Sequence, residues 1–372
     1  INRAFALFFF TLELNTFTRY IKLSHMKVSS GFILIILFFT SKIFSQSIDE
    51  IIEDTKSKFH QEQKIEDKAK LSADLAWYYV QVNIDSARFY GEKSLQLSKL
   101  SKNKKLIAQS YNDLSTVLFV KGDYKKSIIF ADEALKIRKL LNDKAGIASL
   151  YFKKGNAFNK MSNYDSTMYY YFKANEYYEQ VGDSSVFMNL EANISSTYFS
   201  MGNYSKALKY LKRPLQYYKN TKQYLLLSNS TMNLGNIELS LKDTVNAVKS
   251  YNKAILYTEK AIAFAKKDKQ NQKIANGYLQ LANIYYELEK NNLAIDYFIR
   301  AINIYNKNEP NTNLAISYYG LGKCYFKKNN IGFAEIYFEK ATTLYKKLNF
   351  IEAIELINLQ KAIIKKEKKQ LN

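Results

Sequence analysis

Cysteine, proline, tryptophan and histidine are almost missing from this chain. Its 372 residues hold one Cys, two Pro, one Trp and two His, with only 12 Gly. One cysteine excludes a disulfide framework and a zinc site built on paired cysteines. Two histidines leave little material for a histidine-based metal centre or acid–base pair. So few Gly and Pro cannot supply the turns of a sandwich, a barrel or a doubly wound sheet, which need such punctuation every 8–12 residues or so. What is abundant suits a helical core: 47% hydrophobic residues, with 31 Tyr and 24 Phe. That content also excludes a disordered chain. The composition points to a large all-α protein.

The sequence opens Ile1-Asn2-Arg3, and its first methionine is Met26. Lys27 then supplies a short positive region, Phe32–Phe39 is an unbroken apolar run, and a polar stretch with small residues ends at Phe44-Ser45-Gln46. That is the layout of a secretory signal peptide over residues 26–45, cut after Ser45. A membrane-spanning helix needs about 20 apolar residues, and Lys42 interrupts this run too early. An uncleaved N-terminal anchor is the alternative. With Met26 as the start, residues 1–25 are upstream sequence translated by mistake, and 46–60 form a lead-in helix. The expected location is therefore the periplasm or cell envelope of a Gram-negative bacterium.

The formal charge is +21; residues 1–45 contribute five basic residues and one acid, leaving +17 for the rest. The lysines are spread along a chain that is also rich in Asn, Ile, Tyr and Phe, and only Lys361–Lys369 is a basic cluster. Export and this even spread argue against a nucleic-acid partner.

Internal periodicity decides the fold. Small residues recur with offsets of 12 and then 7, in the sets Ser115/Ser127/Ala134, Gly155/Thr167/Ala174, Ser195/Ala207/Pro214, Gly235/Ala247/Ala254, Ala282/Ala294/Ala301 and Gly322/Ala334/Ala341. Three residues after the first member comes a large apolar residue (Leu118, Phe158, Tyr198, Tyr285, Tyr325), with Glu238 the exception. Two amphipathic helices packed antiparallel explain this: small side chains at the crossing let the backbones approach, and aromatics fill the space around them. Gly122, Asp123 and their counterparts break and cap the helices. A weaker unit with Ala76, Ala87 and Ser94 precedes these six, its turn one residue shorter. The first small residue advances by 39, 40, 40, 40, 47 and 40. The step of 47 adds seven residues, about two helical turns, so YTEKAIAFAKKDKQNQ is a helix extended in phase.

This pattern resembles the tetratricopeptide repeat (TPR), over roughly residues 60–345. The resemblance implies an all-α, right-handed TPR-type helical solenoid of about seven helix–turn–helix repeats, with a period near 40 in place of the family's usual 34. The solenoid spans 61–349. Residues 350–372 form a C-terminal capping helix or a truncated eighth repeat with a basic tail; the register puts Ala362 at its small position and leaves Phe350, Ile351, Ile354, Ile357 and Ile364 for packing. Pro214 stands where the second helix should have Ala, and predicts a local kink that changes the superhelix. Cys324 reads as a small buried thiol.

No catalytic constellation is present: no phosphate-cradling glycine loop, no nucleophile elbow, no HExxH and no paired-Cys spacing. No metal site or cofactor is expected. Tyr169-Tyr170-Tyr171 and Tyr177-Tyr178 read as core and groove wall, and Asp85-Ser86-Ala87 and Asp243-Thr244-Val245 as helix N-caps.

In the family the first helices line the concave face, so residues at −6, −3, −2, +1, +4 and +5 from the first small residue should point into a groove. At +1 stand Asn156, Asn236 and Asn283; at −2, Asn193 and Asn233; at −6, Asn189, Asn229 and Asn276; at +4, Phe119, Phe199, Tyr286 and Phe326. TPR domains that hold chaperone C-termini grip the peptide backbone with asparagines at +1 and −2, which Asn156 and Asn193 match. Their carboxylate-clamping Lys or Arg correspond here to Phe152, Asn229 and Asn233, so a chaperone tail is not the expected ligand. A side-chain amide both donates and accepts, and so suits an extended peptide backbone. Asn156, Asn193, Asn233, Asn236 and Asn283, edged by the four rings at +4, are the candidate peptide site.

The function this implies is a non-catalytic, exported module that binds a peptide or protein. The chain also resembles the sensor half of bacterial membrane-anchored histidine kinases or regulators, where a transmembrane helix and output domain follow the repeats. In that arrangement Lys361–Lys369 would lie on the exported side, against the positive-inside rule. A stand-alone periplasmic or surface-associated scaffold is the alternative. Membrane contact would come only from an uncleaved anchor or a segment beyond the C-terminus.

Overall fold

The turns set the architecture. From residue 104 to 224 a new helix begins every 20 residues, each of 17 or 18 residues and followed by a link of two or three. Two such helices and two such links make the period of 40. In the links from 102 to 290 and in 328–330 one residue adopts the left-handed conformation and the next residues lead into the following helix. Asp123, Asp143, Asn163, Asn203, Asp243 and Asn330 all accept a hydrogen bond from the backbone N–H three residues on, which satisfies one of the orphan donors of a helix start. The left-handed position is Gly at 122, 182 and 202, but Lys, Asn, Ser or Glu in the other links. Asp243 is thus a cap as expected. Asp85 is not: Asn83 caps that helix, and Asp85 pairs with Lys121 at 2.7 Å.

The computed structural model describes residues 48–80, 82–182, 184–306, 312–348 and 351–371. The expected mistranslated segment (1–25) and signal peptide (26–45) lie outside them. Two compact units divide the chain, Ile1–Glu53 and Asp54–Asn372. Of the first, only the start of α1 (Ile48–Gln61) is described. The second is a stack of helix pairs: α2 (Ile65–Tyr79) with α3 (Ile84–Ser101), α4 (Lys104–Val120) with α5 (Tyr124–Leu140), α6 (Lys144–Lys160) with α7 (Tyr164–Val181), α8 (Ser184–Ser200) with α9 (Tyr204–Asn220), α10 (Tyr224–Ser240) with α11 (Thr244–Lys267), α12 (Asn271–Glu287) with α13 (Asn291–Tyr305), and α14 (Thr312–Lys327) with α15 (Ile331–Lys347). α16 (Ile351–Leu371) follows. No strand occurs among the described residues, and none of their helices is long and apolar enough to cross a membrane.

Every member of the six small-residue sets is buried. A Cβ added at Gly155 would lie 2.4 Å from the Tyr171 ring, one at Gly235 2.9 Å from Tyr251, and one at Gly322 2.6 Å from Phe338. Glycine is required there because a ring from the second helix rests on the first helix's backbone. Beside this crossing the residues at +3 and +15 stack ring on ring: Phe158 on Tyr170, Tyr198 on Tyr210, Tyr285 on Tyr297 and Tyr325 on Tyr337, with centroids 5.3–5.5 Å apart. The exception noted in the sequence is replaced in kind. Glu238 accepts a 2.7 Å hydrogen bond from Ser250, so one polar pair stands where four of the other units hold two rings.

α11 has 24 residues against the usual 17, as the step of 47 predicts. Its extra turns keep an apolar face: Ile262 and Ala265 are buried, and Phe264 stacks on Tyr224 at 5.6 Å. Helix α9 runs unbroken through Pro214, which is buried in the slot that alanine fills elsewhere. Proline has no N–H to give the Tyr210 carbonyl one turn earlier. In α16, Ile357 and Ile364 are buried, at the −5 and +2 offsets that are buried in all six preceding units, whereas Ala362 is exposed. This helix docks as a first helix does, and no second helix covers it among the described residues.

Candidate binding face

The first helices of successive pairs lie side by side, and hydrogen bonds between them define one register. Residues at −2 of one unit meet −3 or +1 of the unit before: Lys153 with Asn112 and Thr116, Asn233 Nδ2 with Ser196 Oγ at 3.3 Å, and Gln280 with Met232. All nine candidate residues lie on this set of helices, and all are half-buried.

Their amides divide into two groups. Asn156 accepts a 2.7 Å hydrogen bond from the Tyr171 hydroxyl, and Asn236 the same from Tyr251. At −6 the arrangement recurs by another route: Asn189 accepts from Tyr218, and Asn276 accepts from Tyr305 at 2.7 Å. These tyrosines are almost wholly buried, and burial pushes the hydroxyls of Tyr171, Tyr218 and Tyr251 up to about 12. A buried hydroxyl needs a partner, and the asparagine oxygens provide it. The side-chain amides of Asn193 and Asn283 make no hydrogen bond to any described residue, and Asn233 makes only the long one to Ser196. The five asparagines therefore share a face but differ in what they have left to offer.

The rings at +4 are similarly divided. Phe119 packs against Tyr124 and Phe199 against Tyr204, each at the start of the following helix. Tyr286 instead faces cations, with Lys323 Nζ 4.3 Å and Lys327 Nζ 4.5 Å from its ring centre. Phe326 pairs with no ring among the described residues and packs against the cluster of Phe338 and Ile357. Of the tyrosine runs, Tyr171 and Tyr178 are core as expected, while Tyr169 is 56% exposed.

Three cations went unnoticed in the sequence. Lys153 stands at −2 and donates to Asn112 O at 2.9 Å, Asn112 Oδ1 at 2.8 Å and Thr116 Oγ1. Burial lowers its ammonium to about 8, partly offset by Asp113. With each proton placed, it is a brace between α4 and α6. Lys323 at +1 and Lys327 at +5 are the others. Tabulating every unit at each offset, rather than the asparagines alone, would have exposed them. Glu191, at −4, is buried beside Arg213 (3.0 Å to Oε1), with its Oε2 unpaired among the described residues; burial raises its carboxyl, and Arg213 partly offsets this. Cys324 is fully buried and its thiol pushed up to about 12. Among the described residues no three His, Cys, Asp or Glu gather as metal ligands would.

Three family models match the chain: the SusR N-terminal TPR domain over 40–164 and tetratricopeptide-repeat models over 192–224 and 273–347. The chain is a tetratricopeptide-repeat protein. Solved structures agree in fold. Apo RapI is 15% identical with a TM-score of 0.55, covering 71% of this chain and 94% of its own. Aspartyl phosphate phosphatase F from Bacillus subtilis is 15% identical with a TM-score of 0.54, covering 87% and 86%. The Rap conjugation gene regulator of plasmid pLS20, in complex with the Phr* peptide, is 16% identical with a TM-score of 0.53, covering 77% and 75%. No curated protein matches the chain. At these identities the likeness is one of fold, and the TPR stack's own residues must carry any functional reading.

Proposed function

We propose that this TPR protein is a non-catalytic module that binds an extended peptide or protein segment along its concave first-helix face, and that it is the exported sensor part of a signalling protein. The observation that carries the binding reading is the pair of unpartnered amides, Asn193 and Asn283, half-buried on the same face as the row of rings at +4. Each amide leaves a donor and an acceptor free for a peptide backbone. The pLS20 regulator, solved with the Phr* peptide, lends support as a protein of the same fold that holds a peptide. Export rests on the sequence of residues 26–45. The sensor role rests on the resemblance to membrane-anchored regulators and on the match to a domain named for the N-terminal place it holds in SusR.

The binding test is direct. A pool of random decapeptides screened against the purified chain should yield peptides that bind saturably, and Asn193→Ala with Asn283→Ala should weaken them about tenfold without lowering helicity. No saturable binding overturns the reading. For the sensor role, the intact mass of the native protein is measured in membrane and in soluble envelope fractions. A heavier, membrane-bound species supports it; a soluble species near the mass of residues 46–372 overturns it in favour of the scaffold.

A further inference from the structure

The second helices carry a pattern of their own on the side away from the crossing. At +14 from the first small residue they read Ile129, Tyr169, Lys209, Lys249, Asp296 and Ile336 along the stack, and all six are exposed. Cations stand only at the two middle positions. Their helices, α9 and α11, hold ten bases and one acid, +9 of the chain's +21. The second helices on either side differ: α7 has one base and three acids, and α13 has one of each. The two basic helices are neighbours, since Tyr257 of α11 packs against the same apolar cluster as Leu211 and Tyr218 of α9. Lysines that look spread in the sequence are thus gathered by the fold.

Little of this charge is balanced within the protein. Lys209, Lys212 and Lys253 make no ion pair and no hydrogen bond with any described residue. Lys249 reaches only the Asn246 side-chain oxygen, at 3.4 Å. Arg213 pairs with Glu191 at 3.0 Å while most of its side chain stays in water. Five neighbouring cations with one carboxylate among them repel one another. Apolar side chains are set between and beside them. On α11, Val245, Lys249, Lys253 and Leu256 follow at spacings of four, four and three, which is one stripe of a helix, and all are exposed, Val245 by 67%. On the α7 side the patch is edged by exposed Tyr169 and Phe172, and the Phe172 ring meets Tyr210 of α9 at 6.5 Å.

We infer that the outer side of α9 and α11 is a docking surface for an anionic lipid bilayer. Lipid phosphates supply the counter-charge that the protein lacks there. The apolar side chains enter the headgroup boundary, and the long lysine stems lie along it with their ammonium groups at the phosphates. An acidic segment of another protein would satisfy the cations but leave Val245, Leu256 and Tyr169 in water, so the composition of the face favours the bilayer. The inference is independent of the peptide-binding reading. It uses the second helices and leaves the first-helix face open, so both contacts can be made at once.

The test is sedimentation of the full chain with vesicles of phosphatidylcholine containing phosphatidylglycerol, and with vesicles of phosphatidylcholine alone. The apolar run Phe32–Phe39 is present in both mixtures, so the difference between the two lipids is what is read. The expected result is stronger binding to the anionic vesicles, weakening as salt is raised. Lys209→Gln with Lys249→Gln should lower that binding about thirtyfold, a little over fivefold for each cation. Val245→Ser with Leu256→Ser should also weaken it. Lys346→Gln with Lys347→Gln, at the end of α15, removes the same charge elsewhere and should change binding by less than about twofold. Circular dichroism checks the fold of each variant. Equal binding to the two lipids overturns the inference. So does an equal loss in the α15 variant, which would make net charge rather than this face the cause. Poly-glutamate bound through Lys209 and Lys249, with no vesicle bound, overturns it in favour of an acidic protein partner.

Discussion

Two units in the middle of the stack and two at its C-terminal end solve one packing problem with rings that differ by a single oxygen. In the units of Gly155 and Gly235 the ring over the helix crossing is Tyr171 or Tyr251, and its hydroxyl binds the asparagine at +1. In the units of Ala282 and Gly322 the same position is Phe298 or Phe338. Phenylalanine makes no claim on the +1 side chain, so Asn283 and Lys323 keep their hydrogen-bonding capacity. The hydroxyl decides whether a +1 residue on the candidate face is tied into the scaffold or keeps its hydrogen-bonding groups free. A face with a regular sequence pattern thus has an irregular chemistry.

The largest effect tests the shared part of this comparison. Tyr171→Ala and Phe338→Ala should each cost about 3–5 kcal/mol in urea unfolding, since both remove a fully buried ring; unequal losses would mean the two crossings are not equivalent. Next come Gly155→Ala and Gly322→Ala, which push a methyl against these rings and should cost about 1–3 kcal/mol each. The oxygen itself is worth less. Tyr171→Phe should lose about 1 kcal/mol, and the loss should vanish in an Asn156→Ala background. Phe338→Tyr should gain nothing until Lys323→Asn is added, which transplants the middle arrangement to the end. The smallest effect concerns the −4 slot, where the units of Ser115, Gly155, Ala282 and Gly322 have Tyr111, Tyr151, Tyr278 and Tyr318 and the unit of Ser195 alone has a carboxylate, Glu191. Burial raises the Glu191 carboxyl above the ordinary 4.5, so the folded state holds this proton more tightly than the unfolded one. Its contribution to stability is greatest at low pH and is lost as pH rises through the raised value. Glu191→Gln, which cannot titrate, should match the wild type near pH 4 and exceed it at pH 7, by about 1 kcal/mol or less. Thermal melts at both pH values would show it.

The fold was legible because it rests on volume. Ser, Gly and Ala at offsets of 12 and 7 can only be places where backbones approach, and the extension of α11 by seven residues followed from phase alone. The face was half legible. Offsets placed all nine candidates on one set of helices, but sequence spacing carries no record of which hydroxyl reaches which amide. Asn156 and Asn193 look alike in the sequence; only the third dimension shows Tyr171 tied to the first and nothing tied to the second. Lys323 was missed for a related reason. Its setting is made by the rings around it, and Tyr286 is 37 positions away in the chain.

The length of α11 bears on how such a molecule changes over time. Seven residues fall only about 20° short of two whole turns, so a splice of that size preserves every inward-facing position downstream of it. An insertion of five would swing the following apolar stripe to the far side and scramble each later crossing. The reading frame of the stack is therefore the helical turn rather than the codon, and α11 records one acceptable edit. Its lengthened end supplies Ile262, whose side chain lies where a Cβ at Gly277 would have to stand, 2.4 Å away. That glycine is now fixed by the splice: lengthening one helix removed a degree of evolutionary freedom from its neighbour.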